Sequence, residues 1–295
     1  MRAVILPEDW YKEATIFTER LNSIQPLYFC IPYTEDSLID LKEFVTHLHK
    51  TLAKRDVSSA MLILPNYFAS GDRIDLWPNM IQTNSTFRWI LSIYFSDSWL
   101  QVEEELARLD LESNENLLNE THLTCQYQPA YTKLLLLGEG RNCQTYHPGD
   151  YFKLDILPII SKMEGNWVYW GHGEGDKLRG YDQLHTSDLL NFHSGNCLNF
   201  TLWFTCSTLD RDYPENIALA WYLSGATSCI LASPDKVKTD DNIQLSQAWF
   251  VVANEARRKT IADVVLEVLV ENPVVFGEIL SHYFLLGIPW VKGQI

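Results

Sequence analysis

Short apolar runs alternate with longer amphipathic segments from the first residues of the chain onward. The first half contains runs with the length and residue types of buried strands, at positions 3–6, 27–31, 60–64 and 87–95. Wider apolar spacing predicts helices between them, at positions 8–22, 34–54 and 99–109. Pro32 is expected to end the second strand. Strands separated by crossover helices are typical of a parallel sheet, so the pattern predicts an α/β fold.

A polar segment interrupts this pattern near the middle of the chain. Residues 110–130 are rich in Asn and Glu and show neither helical nor strand periodicity. A long connection of this kind is typical of a junction between two structural units. We therefore predict an N-terminal α/β subdomain at residues 1–128 and a second subdomain at residues 129–295.

The alternation resumes after the polar segment. Apolar runs predict strands at positions 133–137, 167–170, 198–204 and 227–231. Helices are predicted at positions 151–163, 186–191, 215–223, 242–270 and 274–285. The second subdomain is thus predicted to contain its own parallel sheet.

Composition and charge narrow the class of protein. The 295 residues are 46% hydrophobic, which is enough for a large core, and carry a net charge of −15. An acidic chain repels phosphate backbones, so nucleic acid is not expected as a partner. No apolar run approaches the roughly 20 residues of a membrane span, and Pro7-Glu8-Asp9 ends the first run early. We therefore expect no membrane association and a cytoplasmic location.

The six cysteines form no CxxC pair of the kind found in zinc ribbons. Cys143-x3-His147 and His193-x3-Cys197 supply four ligands of the type that zinc prefers, but their spacing is atypical and favours buried cysteines and solvated histidines. Gly138-Glu139-Gly140 is similar to the start of a dinucleotide-binding turn, but Cys143 stands where the third glycine belongs. Neither a metal nor an organic cofactor is predicted.

Two predicted strands each run into a residue with catalytic chemistry. The strand at 167–170 continues into Gly171-His172-Gly173, and the strand at 198–204 continues into Thr205-Cys206-Ser207. If these strands are parallel, both side chains emerge at one edge of the sheet, where open α/β folds place their sites. The spacing between the histidine and the cysteine fits one strand, a short crossover helix and the next strand.

A cysteine and a histidine at one sheet edge indicate acyl transfer. The cysteine attacks as its thiolate, and the imidazole takes the thiol proton and later protonates the leaving amine. Gly173 permits the close approach of a substrate backbone. Its N–H and the N–H of Cys206 are candidates for an oxyanion hole that stabilises the tetrahedral intermediate.

These elements resemble the caspase-like clan of cysteine peptidases, which includes caspases, gingipains and CHAT-domain peptidases, and the gingipain family is the most similar. The resemblance covers roughly residues 133–290 and rests on Gly171-His172-Gly173, Cys206 after an apolar strand, Ser224-Gly225-Ala226-Thr227, Ile230-Leu231-Ala232-Ser233 and Leu285-Leu286-Gly287-Ile288-Pro289. It implies a caspase-like (caspase–hemoglobinase) parallel-sheet sandwich. It also implies a cysteine endopeptidase of protein or peptide substrates, with Cys206 as nucleophile, His172 as general acid/base and Gly173 supplying main chain.

Two features depart from the gingipain pattern. Ile288 stands where the family carries an acidic residue, and the segment 138–162 replaces a longer connection that bears a carboxylate orienting the histidine. Glu139, Asp150 and Asp155 are alternative candidates for that carboxylate. The alternative to an active peptidase is a catalytically inactive caspase-fold module, which serves as a binding or regulatory subunit of a larger signalling or defence assembly. An activating protein partner is a related alternative.

The substrate preference is left open by the sequence. Relatives cut after Lys or Arg in one branch and after Asp in another, and the charge of the pocket depends on loops such as residues 174–176. The acidic surface favours basic peptides through charge steering.

Overall fold

The computed structural model of the chain describes residues 1–22, 28–83, 87–113, 120–254 and 259–295. The strands are β1 (Arg2–Pro7), β2 (Tyr28–Tyr33), β3 (Ser59–Leu64), β4 (Ile81–Thr83), β5 (Arg88–Phe95), β6 (Thr121–Cys125), β7 (Cys143–Tyr146), β8 (Asn166–Trp170), β9 (Gly173–Glu174), β10 (Lys177–Leu178), β11 (Leu184–His185), β12 (Phe200–Phe204), β13 (Cys229–Ala232) and β14 (Phe284–Gly287). The α-helices are α1 (Tyr11–Asn22), α2 (Leu41–Lys54), α3 (Trp99–Ser113), α4 (Pro129–Thr132), α5 (Lys153–Ile160), α6 (Thr186–Phe192), α7 (Ile217–Leu223), α8 (Thr239–Asn254), α9 (Ile261–Glu271) and α10 (Pro273–Leu280). Short 3-10 helices are formed by Glu8–Trp10, Glu35–Leu38, Asn66–Phe68, Gly71–Leu76 and Lys133–Gly138.

One mixed sheet runs through the described part of the chain, in the order β2-β1-β3-β5-β14-β13-β12-β8-β6-β7, with β4 antiparallel to β5. The strands β2, β1, β3 and β5 are mutually parallel, and so are β13, β12, β8, β6 and β7. Because β14 is parallel to β5 and antiparallel to β13, the two parallel sets run in opposite directions. We call the rim formed by the carboxyl ends of β6, β8, β12 and β13 the carboxyl rim. The predicted α/β class with a mainly parallel sheet is confirmed.

Helices cover both faces of the sheet because both faces are apolar. In β8, Trp167 and Tyr169 belong to the core on one face, whereas Val168 and Trp170 belong to the core on the other, as strand geometry requires. The first face packs under α2, α5, α6 and α7. The second face packs under α1 and α3 at one end and under α8, α9 and α10 at the other. The result is a three-layer arrangement with the sheet in the middle.

The predicted elements of the first half are confirmed apart from their ends. The second strand does not stop at Pro32, because β2 continues to Tyr33, with Pro32 beside Leu6 of β1. β2 is the edge strand, where a residue without an N–H is tolerated. Residue 27, the predicted start of this strand, lies outside the described residues. The predicted helix at 34–54 begins as a 3-10 turn, and α2 then starts after Asp40, whose side chain accepts a hydrogen bond from the Glu43 N–H.

The prediction that residues 110–130 lack regular structure is wrong. Helix α3 extends to residue 113, and the buried strand β6 occupies residues 121–125, between β7 and β8. Its polar side chains are satisfied inside the sheet; for example, the indole N–H of Trp167 donates to Thr124 Oγ1 at 2.7 Å. Polar residues that find buried partners lower the apolar periodicity that reveals a strand. The subdomain boundary at 128/129 stays a prediction, and β6, which precedes it, pairs with β8, which follows it.

Two further predictions in the second half are wrong. Residues 133–137 form a 3-10 helix instead of a strand, and Leu134 and Leu135 pack under the sheet beside α8. The single helix predicted at 242–270 is divided into α8 and α9, because Thr260 begins α9 with a capping box: its hydroxyl accepts from the Asp263 N–H, and its own N–H donates to Asp263 Oδ2. Residues 255–258 lie outside the described residues.

The last predicted helix is shorter than expected. α10 ends at Leu280, and residues 284–287 form β14, which joins the two parallel sets. A four-residue apolar run is compatible with a buried strand and with the end of a helix. The strand forms here because β14 pairs with β13 and β5 in the folded chain. Among the helices that the structure describes, none has the length and apolar character needed to cross a bilayer.

Candidate active site

Three neighbouring strands end side by side at the carboxyl rim. Cys125 of β6 lies beside Trp170 of β8, which in turn lies beside Phe204 of β12. His172 follows β8 by two residues, and Cys206 follows β12 by two residues. The predicted parallel arrangement of these strands is confirmed, and neighbouring strands lie about 4.8 Å apart. The histidine and cysteine loops therefore leave the sheet next to each other.

Gly173 packs directly against the cysteine loop. A Cβ atom at this position would lie 2.5 Å from the Cys206 carbonyl oxygen, 2.7 Å from Thr208 Cγ2 and 2.8 Å from Thr205 Oγ1. Both threonines are fully buried, so they have little room to withdraw. Only glycine permits this approach of two backbones. The contact fixes the spacing between the His172 loop and the Cys206 loop.

The Cys206 thiol is half-buried and faces Val237, in the segment that follows β13. Its Sγ donates a hydrogen bond to the Val237 carbonyl at 3.0 Å and accepts one from the Val237 N–H at 3.3 Å. Burial raises the pKa of the Cys206 thiol, and the hydrogen bonding with Val237 and the charge of Lys236 oppose this only in part. The group is therefore a protonated thiol at neutral pH.

The His172 loop is held through its main chain. The His172 N–H donates to Gln126 Oε1 at 2.9 Å, and the His172 carbonyl accepts from the Arg179 N–H at 2.9 Å. The imidazole meets the Tyr131 ring edge-on, with the ring centroids 5.7 Å apart. Burial, followed by the charge of Arg179, lowers the pKa of His172. The imidazole is therefore neutral at neutral pH and able to accept a proton.

The two functional groups are neighbours without a direct hydrogen bond. Among the residues that the structure describes, Cys206 Sγ forms hydrogen bonds with the Val237 main chain and none with either imidazole nitrogen of His172. A cysteine side chain has one rotatable torsion, χ1, which can adopt three staggered positions. Rotation about this torsion would break both contacts with Val237 and free the sulfur to turn towards another partner.

Two main-chain N–H groups beside the His172 and Cys206 loops are not used in the sheet hydrogen bonds described for these loops. Within the described ranges, the Cys206 N–H has no hydrogen-bond acceptor. Gly173 begins the hairpin of β9 and β10, in which the Arg179 N–H bonds the His172 carbonyl. The next pair of that ladder, Gly173 with Leu178, is therefore of the non-hydrogen-bonded type, and the Gly173 N–H points away from β10. These are the donors that the sequence predicts for an oxyanion hole, and that role stays a prediction.

In the described part of the chain, the three carboxylates that could orient His172 form no hydrogen bond with it. Asp155 Oδ2 accepts from the Phe152 N–H at 3.0 Å and so begins α5. Glu139 and Asp150 are exposed in the turns on either side of β7. The identity of an orienting acid stays a prediction.

A series of ion pairs anchors the segment that follows β13. Arg211 bonds Asp75 at 2.7 Å and Asp235 at 2.8 Å, and His282 Nδ1 lies 3.2 Å from Asp235 Oδ2. Burial alone would raise the pKa of Asp235, but the hydrogen bonds and charges of Arg211 and His282 outweigh it and lower that pKa. The Asp235 carbonyl accepts from the N–H of Ser207, which has a left-handed φ of 49°. The segment that contacts the thiol is thus tied to the loop after β12 through Arg211 and Ser207, and to the residues before β14 through His282.

Gln126 and Val237 contact the two loops but are not among the site residues that the sequence pattern predicts. The available signal for Gln126 was the β-branched pair Thr121 and Thr124 around Leu123, which marks a strand that ends just before a polar residue. Val237 contacts the thiol through its main-chain N–H and carbonyl. Every residue except proline has both groups, so the residue type gives no sign of this contact.

The alternative sites considered from the sequence are not assembled. Within the described ranges, no three His, Cys, Asp or Glu side chains are grouped to hold a metal ion. Cys197 Sγ lies 3.3 Å from Ser228 Oγ, and the His193 ring packs edge-on to Trp221. Because residues 133–138 form a 3-10 helix, the strand that a dinucleotide-binding turn requires is not formed before Gly138-Glu139-Gly140.

The departure at Ile288 lies far from the Cys206 loop along the sheet. Ile288 is buried, follows β14, and donates its N–H to the Ser228 carbonyl at the amino end of β13. The Cys206 loop lies at the carboxyl rim, at the other end of β13. The missing acid therefore leaves the surroundings of Cys206 and His172 unchanged.

Comparisons with solved structures show which fold this is. The complex of Porphyromonas gingivalis RgpB pro- and mature domains matches with a TM-score of 0.65 at 14% identity, over 99% of this chain and 79% of that chain. The Arg specific cysteine proteinase gingipain R matches with a TM-score of 0.62 at 12% identity, over 99% of this chain and 77% of that chain. The Saccharomyces cerevisiae separase–securin complex matches with a TM-score of 0.50 at 13% identity, over 85% of this chain and 17% of that chain. The chain thus has the caspase-like α/β fold of the gingipains, as the sequence resemblance implied.

The family comparison agrees with the fold. Residues 68–292 match peptidase family C25, the gingipain family, and this range is most of the chain. The chain therefore belongs to peptidase family C25. A comparison with curated protein sequences finds no match.

Proposed function

We propose that this chain is a cysteine endopeptidase that cleaves peptide bonds with Cys206 as nucleophile and His172 as general acid/base. The observation that supports this most directly is the contact of Gly173 with the Cys206 carbonyl, which holds the two loops together at the carboxyl rim. The site needs no metal or organic cofactor for this chemistry.

The proposed reaction begins when Cys206 Sγ leaves Val237 and turns towards the imidazole. The neutral His172 takes the thiol proton as the sulfur attacks the scissile carbonyl, and the resulting oxyanion receives hydrogen bonds from the Cys206 and Gly173 N–H groups. The intermediate collapses to a thioester, and the imidazolium gives its proton to the leaving amine. Water, deprotonated by His172, then hydrolyses the thioester and regenerates the thiol.

A thiol-directed, acyl-type covalent probe tests this proposal. We expect labelling of the wild-type chain at Cys206, loss of labelling in Cys206→Ala, and strongly reduced labelling in His172→Ala. Cys197→Ala is the matched control, because Cys197 is an exposed cysteine at the other rim of the sheet and its removal should leave labelling of Cys206 unchanged. Equal labelling of Cys206 with and without His172 would contradict the proposed acid/base role.

The alternative function is a catalytically inactive binding or regulatory module, and one observation favours it. The thiol is protonated and bound to Val237 instead of His172. Two of the similar structures are complexes, one of the RgpB pro- and mature domains and one of separase with securin. A polypeptide partner that moves the Val237 segment is therefore a consistent form of activation for this chain. Absence of labelling in every condition, with and without candidate partners, would favour the inactive module.

A further inference from the structure

The charges beside the thiol differ in sign from the charge of the whole chain. The net charge of the chain is −15. The segment that contacts Cys206 Sγ, however, has the sequence Asp235-Lys236-Val237-Lys238 and so carries two lysines. Two lysines thus flank the residue whose N–H and carbonyl hold the sulfur. Neither of them forms an ion pair with any described residue, in contrast to Lys153, Lys177 and Lys259.

Two carboxylates close to the two loops in sequence or contact, Glu174 and Asp235, already have cationic partners. Glu174 serves two of them, with Lys177 Nζ at 2.9 Å and Arg179 Nε at 2.7 Å. Asp235 is shared between Arg211 and His282, as described above. Asp176, at the tip of the hairpin, faces His185, with 3.3 Å between Asp176 Oδ2 and His185 Nδ1. A substrate cation that approached Glu174 or Asp235 would therefore have to displace an existing partner.

The lysine and arginine charges act on both functional groups. Burial raises the pKa of Cys206, and the Val237 hydrogen bond and the positive charge of Lys236 each act to lower it. Burial lowers the pKa of His172, and the positive charge of Arg179 lowers it further. Asp240 and Asp241 follow in the first turn of α8, where the helix dipole stabilises carboxylates, and they lie beyond Lys238 along the chain.

We propose that the site selects peptides that carry an acidic side chain, Asp or Glu, next to the scissile bond, and that Lys236 binds this carboxylate. This inference rests on the proposed peptidase function. It reverses the preference for basic peptides that the net charge suggests, because salt screens the field of the whole chain beyond about 8–10 Å. Charges within that distance of the scissile bond therefore decide the preference.

The first test measures the local charge without requiring catalysis. Iodoacetate and iodoacetamide both alkylate a thiolate, with formation of the S–C bond and departure of iodide, but only iodoacetate carries a negative charge. The ratio of their rates at Cys206, read by peptide mapping, reports the potential at the sulfur. We expect Lys236→Gln to lower the ratio of iodoacetate to iodoacetamide about 3-fold and Lys236→Glu to lower it about 10-fold, as for loss and reversal of a partly exposed charge interaction.

The controls separate a local from a global effect. Lys12→Glu makes the same charge change on the exposed face of α1 and should leave the ratio at Cys206 unchanged. The ratio at Cys197, measured in the same digest, should not respond to Lys236→Glu. Addition of about 1 M salt should reduce the difference between wild type and Lys236→Glu, because the screening length falls to about 3 Å. An equal ratio in wild type and Lys236→Glu would overturn the proposal.

The second test uses peptides that differ only by Asp, Asn or Lys beside the scissile bond. We expect wild-type kcat/KM to be several-fold higher for Asp than for Lys, and Lys236→Glu to reverse this order. A wild-type preference for Lys, or an order that Lys236→Glu leaves unchanged, would overturn the substrate assignment. If no peptide is cleaved but the alkylation ratio still depends on Lys236, the peptidase proposal fails and the anion-selective character of the site stands.

Discussion

Replacement of Gly173 by alanine tests the contact on which the geometry of the site depends. The added methyl group would lie 2.5 Å from the Cys206 carbonyl oxygen, with two further atoms of the same loop inside 3.0 Å. Ordinary contact begins at 3.4 Å, so the carbonyl must withdraw by about 0.9 Å, from 2.5 to 3.4 Å. Overpacking of this kind costs about 1–3 kcal/mol, and we expect Gly173→Ala to lower the free energy of unfolding by about 2 kcal/mol.

The same displacement should reduce function by more than the loss of stability explains. A shift of about 1 Å between catalytic groups costs on the order of 100-fold in rate, so we expect peptide hydrolysis by Gly173→Ala to fall to that extent. Urea unfolding followed by tryptophan fluorescence measures the stability, and hydrolysis is assayed at urea-free conditions where the variant is fully folded. Labelling of Cys206 by the acyl-type probe provides a second functional reading.

Gly277→Ala is the matched control for this substitution. Gly277 lies within α10, and the nearest atom to an added Cβ is Leu269 Cδ1 at 3.7 Å, an ordinary contact. Alanine is a better helix former than glycine by about 0.5–1 kcal/mol, so this variant should be slightly more stable and fully active. Wild-type stability and activity in Gly173→Ala would show that the His172 and Cys206 loops are not packed as described.

Three further outcomes are expected. Because burial raises the pKa of Cys206, its alkylation by iodoacetamide should rise with pH to a midpoint above that of an exposed cysteine; a lower midpoint would indicate a thiolate paired with His172. Gln126→Ala removes the acceptor of the His172 N–H and should reduce hydrolysis about 10-fold, with recovery in Gln126→Glu, which keeps an acceptor; equal activity of all three chains would exclude a positioning role. Asp235→Asn should lower the free energy of unfolding at pH 7 by about 0.5–1 kcal/mol, a value reduced for the partial exposure of the pair. Since the pKa of Asp235 is lowered in the folded chain, this stabilisation is complete above the ordinary carboxyl pKa and is lost as pH falls through the lower folded-state pKa, so the difference between Asp235→Asn and wild type in urea unfolding should shrink steadily as pH is lowered below about 4.

The α/β class and the location of His172 and Cys206 at one rim could be predicted from the sequence because they depend on local patterns. A fully apolar strand such as 167–170 must be buried on both faces, and the residue that follows a parallel strand lies at the rim of the sheet. The glycines beside His172 and the apolar strand before Cys206 therefore predicted that both residues lie at one rim, and the resemblance to the gingipains followed from the same residues. The match to peptidase family C25 confirms that resemblance.

Where an element is rich in polar residues or has only a short apolar run, tertiary contacts determined whether it forms a strand or a helix. β6 is a strand because its polar side chains find buried partners in β8, and the run 133–137 is helical because its leucines pack under the sheet. β14 pairs with strands that lie far away in sequence, and this pairing makes the two halves run in opposite directions. At the site, the sequence determined which residue types stand at the rim. Only the fold determined that the thiol rests on the Val237 main chain with a lysine beside it, because hydrogen bonds to the backbone depend on position in space and not on residue type.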